Sequence, residues 1–122
     1  MLLNSFFTIV NVTSQNDKTL AEVEINKDHN VFEGHFPGNP VVPGVFLVQM
    51  IRETLEVLNQ KKFRIDKADE IKFMNMVLPQ QNTHLVLEIQ KRTKSENPFA
   101  FSIMVTHEQT TFLKMKIDFH EV

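Results

Sequence analysis

Hydrophobic and polar residues alternate with a period of two along much of this chain. Ala21, Val23 and Ile25 interleave with Glu22 and Glu24, and Leu85, Leu87 and Ile89 with Glu88 and Gln90. Phe99, Phe101, Ile103 and Val105 alternate with smaller or more polar neighbours, and Leu113, Met115, Ile117 and Phe119 alternate with Lys114, Lys116, Asp118 and His120. Each run predicts a strand with one face in the core. Weaker strand signals cover Phe6 to Val12 and Ala68 to Met76. The segment Val45 to Leu58 differs: Pro43 and Gly44 open it and no breaker interrupts it before Asn59, which predicts a helix. Val45, Phe46, Leu47, Val48, Met50 and Ile51 cannot all face one neighbour at about 3.6 residues per turn, so this end is expected to be enclosed. Arg52, Glu53, Glu56 and Gln60 are expected to form its wet side. The order is two strands, a loop, one helix and about four strands that return by hairpins. It predicts an α+β fold in which an antiparallel sheet wraps around a single central helix.

Composition narrows the possibilities. A chain of 122 residues, 42% hydrophobic, suits one domain spanning 1–122. With 13 Lys+Arg against 15 Asp+Glu it has no basic field for nucleic acid or an anionic membrane surface. Cysteine is absent, which excludes disulfides, thiolate metal sites and a thiol nucleophile. No apolar run approaches a membrane span and no signal-peptide pattern opens the chain, so the cytoplasm is the default expectation. All the aromatic rings are phenylalanine, 11 of them, without Tyr or Trp. Lacking a polar tip, they belong in a core, an interface or an apolar channel.

Glycine and proline are concentrated in one place. The three glycines, Gly34, Gly38 and Gly44, interleave with Pro37, Pro40 and Pro43. This predicts an irregular but stiff loop leading into the helix. Among five histidines, at 29, 35, 84, 107 and 120, only His35 lies in that loop. A loop histidine taken alone is more often a surface or hydrogen-bonded structural residue than a catalyst, and Gly44 reads equally as a plain helix-start glycine. Together they suggest more. The first helical amides have no intrahelical partner, and a glycine there lets a carbonyl oxygen approach, so an imidazole beside that donor points to proton abstraction next to a carbonyl. Metal binding by His29 with His35, or His107 with His120, lacks helix-face spacing and carboxylate ligands, and no phosphate-binding glycine motif occurs, so neither a metal nor a cofactor is expected.

The segment from Phe32 to Val45, FEGHFPGNPVVPGV, closely resembles the signature of the hot-dog-fold beta-hydroxyacyl-acyl-carrier-protein dehydratases, FabZ-like and FabA-like. Phe73, Val77 and Pro79 also fit the family pattern, but Gln80 and Gln81 stand where it has Gly-Asp, and the usual N-terminal proline- and arginine-containing segment is missing. The resemblance implies a homodimer or higher oligomer of helix-filled sheets, with active sites at the subunit boundary. It implies a (3R)-hydroxyacyl thioester substrate on acyl-carrier protein. His35 would remove the α-proton, the Gly44 amide would polarise the thioester carbonyl, and Phe36, Pro43 and Val45 would contact substrate. The product would be a trans-2-enoyl thioester, in fatty-acid or related lipid or polyene synthesis.

This chain departs from the family pattern at the acid. The family acid lies fourteen residues after the histidine, and that position is Gln49 here. An amide cannot release a proton to a leaving hydroxyl, and loss of a general acid costs about 10²- to 10⁴-fold in rate. FabZ-like helices often carry Gln four residues after the Glu, and in this chain the two types are exchanged, Gln49 then Glu53. Three readings are open: Glu53 supplies the proton, a homologous partner subunit supplies it in a heterodimer, or the chain binds acyl-carrier protein without turnover. A hot-dog acyl thioesterase is a further alternative.

Overall fold

The computed structural model describes residues 1–34 and 38–122. Its elements run β1 (Phe7–Gln15), β2 (Lys18–Ile25), a single helical turn α1 (Val31–Gly34), α2 (Gly44–Asn59), β3 (Phe63–Phe73), β4 (His84–Lys91), β5 (Ala100–His107) and β6 (Thr110–Glu121). The six strands form one antiparallel sheet in the order β1-β2-β4-β5-β6-β3. This is the expected α+β arrangement, a sheet around one long helix, with α1 as an unforeseen extra turn.

The period-two runs dictate which face of the sheet is covered. Ala21, Val23 and Ile25 on β2, Leu85, Leu87 and Ile89 on β4, Phe101, Ile103 and Val105 on β5, and Leu113, Met115, Ile117 and Phe119 on β6 are all buried. The register aligns them across strands, Ala21 with Leu87, Leu87 with Val105, Ile103 with Met115. Into this face α2 inserts Leu47, Met50, Ile51 and Leu55, which belong to the same apolar core. Fully burying each such side chain stabilises the fold by about 1.5–3 kcal/mol. Most phenylalanines are core, with Phe6, Phe7, Phe63, Phe112 and Phe119 fully buried.

The hairpin expectation holds in part. β1–β2, β4–β5 and β5–β6 are sequential antiparallel pairs, but β3 pairs with β6 and not with β4. The helix carries the chain to the far edge of the sheet, where β3 forms, and the chain then returns to place β4 beside β2. The edge strand β3 starts at Phe63, five residues before its weak sequence signal, and carries register irregularities at Ile65/Lys67 and Asp69/Lys72. Its alternation is blurred because bulges shift the side-chain phase and most of its residues are exposed.

The helix departs from expectation in two respects. Its first turn is not enclosed within the chain, since Val45 is 74% exposed. Glu53, expected on the wet side, is 1% exposed. No helix among the described residues is long and apolar enough to cross a membrane.

Candidate active site

The glycine–proline loop is pinned on both sides. On its upstream side Phe32 of α1 is buried and its ring lies 6.0 Å from that of Phe6. His29 is committed to this anchor: its Nδ1 accepts the Val31 N–H at 3.0 Å and its ring meets Phe6 edge-on at 5.5 Å. On the downstream side Val42 is buried and its N–H donates to the Val77 carbonyl at 2.9 Å. Gly38 adopts φ 90°, a conformation that glycine reaches without steric cost. His35, Phe36 and Pro37 fall between these anchors but lie outside the described residues, so the expected catalytic imidazole and the substrate contact at Phe36 have no geometry here.

The helix start is well defined. Pro43 is the N-cap, with φ −62° and ψ 143°, and no side chain caps the turn. The Phe46 N–H turns back to the Pro43 carbonyl at 2.9 Å, which leaves the Gly44 and Val45 amides ahead of the first such bond. The helix dipole concentrates partial positive charge there. A Cβ at Gly44 would stand 2.9 Å from two ring carbons of Phe73. A side chain at this position would have to push that ring aside, a contact invisible in the loop sequence. Phe73 is itself 55% exposed, and Val45, Met74 and Met76 near the same helix end are exposed as well. The helix start thus borders exposed apolar side chains, with the Phe73 ring against Gly44.

About one and a half turns along, Gln49 and Glu53 form a closed network. The Gln49 Nε2 donates to Glu53 Oε2 at 2.7 Å. Glu53 Oε1 accepts the Leu2 N–H at 2.9 Å and the Leu3 N–H at 2.8 Å, and its Oε2 also lies 2.9 Å from the Leu2 nitrogen. Burial by itself would push this carboxyl up. The Leu2 N–H, the Gln49 amide and the Leu3 N–H together outweigh it and hold the carboxyl below its ordinary value. Glu53 is therefore an ionised acceptor tying the N-terminal segment to the helix. No spacing rule could reveal it, because its backbone donors lie about fifty positions away. A carboxylate can accept only, so the Gln49 NH₂ must face it and the Gln49 Oε1 is left to accept.

Other charged groups sit elsewhere. Arg52 donates to the Phe63 carbonyl at 3.0 Å and approaches Glu56 at 3.5 Å, tying the helix C-terminal half to β3. His84 contacts Glu22 at 3.1 Å, and His107 Nδ1 lies 2.7 Å from the His84 carbonyl, both away from the helix start. No cluster of three or more His, Asp or Glu side chains able to hold a metal occurs among the described residues.

A six-stranded antiparallel sheet around one long helix defines the hot-dog fold. The dehydratase heterocomplex ApeI:P from Xenorhabdus doucetiae shares this fold at a TM-score of 0.73, with 19% identity, over 91% of this chain and 95% of that one. The family model described as ApeI-like, ApeI dehydratase, matches residues 11–116, and the chain belongs to that family. It is 33% identical over 73 residues to the 3-hydroxyacyl-[acyl-carrier-protein] dehydratase FabZ of Caulobacter vibrioides, covering 52% of this chain and 46% of that protein. It is 30% identical over 82 residues to FabZ of Oenococcus oeni, covering 62% and 59%. The chain spans about half the length of these curated relatives.

Proposed function

We propose that this chain is the base-bearing subunit of a dehydratase acting on (3R)-3-hydroxyacyl thioesters carried by acyl-carrier protein, and that a second hot-dog subunit supplies the acid. His35 takes the proton from the α-carbon, and the Gly44 N–H accommodates the negative charge that develops on the thioester oxygen. The carbon–oxygen bond at C3 then breaks, a carboxylic acid of the partner subunit protonates the departing hydroxyl, and water and a trans-2-enoyl thioester leave. Thioester activation suffices for this elimination, so no cofactor takes part. Phe36, Pro43 and Val45 contact the acyl thioester, and the Phe73 ring beside Gly44 moves aside to admit it. Gln49 presents its Oε1 as a hydrogen-bond acceptor and orients rather than protonates. A reaction on carrier-bound substrates suits a cytoplasmic enzyme.

The observation that carries this reading is the Glu53 network. A carboxylate buried against two backbone N–H groups and an amide, with its carboxyl held low, has no proton to give at neutral pH. That favours the partner-supplied acid over the same-chain acid. The occurrence of a dehydratase heterocomplex with this fold in Xenorhabdus doucetiae supports it.

The test compares the purified chain alone with the chain mixed with other hot-dog proteins of the same organism, following enoyl formation from a 3-hydroxyacyl-carrier substrate. The expected result is turnover at least about 10²-fold faster in one of the mixtures, abolished by His35→Ala in this chain. Fast turnover by the chain alone, lost in Glu53→Gln, would restore the same-chain acid. Free acid as product would make it a thioesterase, and binding without turnover in every mixture would leave a carrier-binding subunit.

A further inference from the structure

The outer face of the sheet, opposite the helix, carries a concavity of about 260 Å³ whose charged lining is Lys18, Glu70, Lys72, Glu88, Lys114 and Lys116. The strand register builds it. Leu20, Glu88, Met104, Lys114 and Lys72 form one rung across five strands, and Lys18, Gln90, Ser102, Lys116 and Asp69 form the next, with Asp69 paired to Lys67 at 3.3 Å. Two of the four lysines have carboxylate partners: Lys18 lies 3.5 Å from Glu88 and Lys116 lies 3.0 Å from Glu70. Lys72 and Lys114 form no ion pair among the described residues, although they stand directly opposite each other on β3 and β6.

Like charges placed directly across an antiparallel pair destabilise the sheet. The arrangement is reinforced by an irregularity in β3 between Asp69 and Lys72, where Glu70 takes φ 53°, a left-handed conformation that non-glycine residues rarely adopt. This bulge carries Glu70 to Lys116 and leaves Lys72 facing Lys114. Two features therefore converge: a concavity, and at its wall a cationic pair without ion-pair partners among the described residues, set in register by a bulge.

We propose that this concavity is a binding site for a phosphoryl dianion, held between the Lys72 and Lys114 ammonium groups with the Ser102 hydroxyl and Gln90 amide as neutral donors, and with Met104 against any attached carbon skeleton. The two free cations match a charge of about −2 at neutral pH. The flanking Glu70 and Glu88 narrow the acceptable ligand. They oppose a broad acidic protein surface but leave a compact anion room between the lysines. The site lies on the opposite face of the sheet from the helix, although Lys72 directly precedes Phe73, and the proposal is independent of the dehydratase reading.

The experiment is thermal unfolding of the full chain in inorganic phosphate, in glycerol phosphate and in sodium chloride at matched ionic strength. Phosphate at about ten times its Kd is expected to raise the midpoint by about 5 °C over chloride. A larger rise with glycerol phosphate would assign the site to a phosphorylated small molecule, and an equal rise to the free ion. Lys72→Met/Lys114→Met should abolish the difference while remaining at least as stable as the parent in chloride, since the repulsion is gone. Lys61→Met, outside the concavity, should respond like the parent. No phosphate-specific rise, an undiminished rise in the double variant, or protection by an acidic peptide in place of phosphate would each overturn the proposal.

Discussion

Replacing Gln49 with glutamate places a second carboxyl where the amide nitrogen now lies, 2.7 Å from Glu53 Oε2. Two carboxylates about 3 Å apart repel by about 5 kcal/mol at an effective dielectric constant of about 20, equivalent to about 4 pKa units. Both cannot be ionised at neutral pH, so the pair retains one proton and titrates as a unit. Glu53 keeps the Leu2 and Leu3 N–H donors, which the new carboxyl lacks, so the shared proton resides mainly on residue 49. Gln49→Glu thus installs an acid whose upper pKa is raised above the ordinary carboxylate range by its ionised neighbour, at the position where the sequence resemblance places the proton donor. The chain alone should then dehydrate a 3-hydroxyacyl-carrier substrate at least about 10²-fold faster than the parent, with activity falling as pH rises through that value. Enoyl thioester absorbance read across the pH range gives the rate, and ¹³C-labelled glutamate spectra give the titration. An ordinary carboxyl titration at residue 49 would refute the adjacency. A raised titration without any gain in turnover would refute the role assigned to the position. In Gln49→Glu/Glu53→Gln the repulsion is absent, so the acid should titrate lower and the activity profile should move to lower pH.

Glu53→Ala leaves the Leu2 and Leu3 N–H groups and the Gln49 amide without their acceptor, and should cost about 2–4 kcal/mol in urea unfolding. Because the folded carboxyl lies below its ordinary value of 4.5, its contribution is fully present above that pH and is lost as pH falls through the folded value. Acid unfolding curves of the parent should therefore steepen in this window relative to Glu53→Gln. Gly44→Ala meets only the Phe73 ring, a half-exposed side chain that can swing aside, so thermal unfolding should shift by no more than about 1 kcal/mol. A methyl group over the Gly44 amide should nonetheless lower turnover about 10- to 10³-fold; unchanged turnover would remove this amide from the mechanism. Leu55→Ala opens a cavity between helix and sheet and should destabilise the fold by about 2–5 kcal/mol, read by denaturant titration.

The alternating runs of β2, β4, β5 and β6 were legible because burial on one face imposes a period of two, and each run supplies residues to the core as its pattern required. The helix was legible from its breakers: Pro43 caps its start, and the chain leaves it at Gln60 in a left-handed conformation. β3 was read late and as a hairpin partner of β4. Edge position and bulges remove the alternation on which such a reading depends. At the candidate site, Gly44 and the exchange of Gln49 and Glu53 were visible as residue types. Their surroundings were not: the Phe73 ring over Gly44 and the Leu2 and Leu3 amides at Glu53 come from distant parts of the chain.

Residue order alone thus specifies the strand-rich body, the single helix, the glycine–proline turn before it and the amide at the position where the resemblance expects an acid, because these arise from local periodicity, backbone restriction and chemical type. Whether a glutamate four residues later holds a proton or has lost it depends on which distant backbone groups point at it. That is a matter of desolvation and hydrogen bonding in three dimensions, and it turns Glu53 from a solvated side chain into a buried anchor.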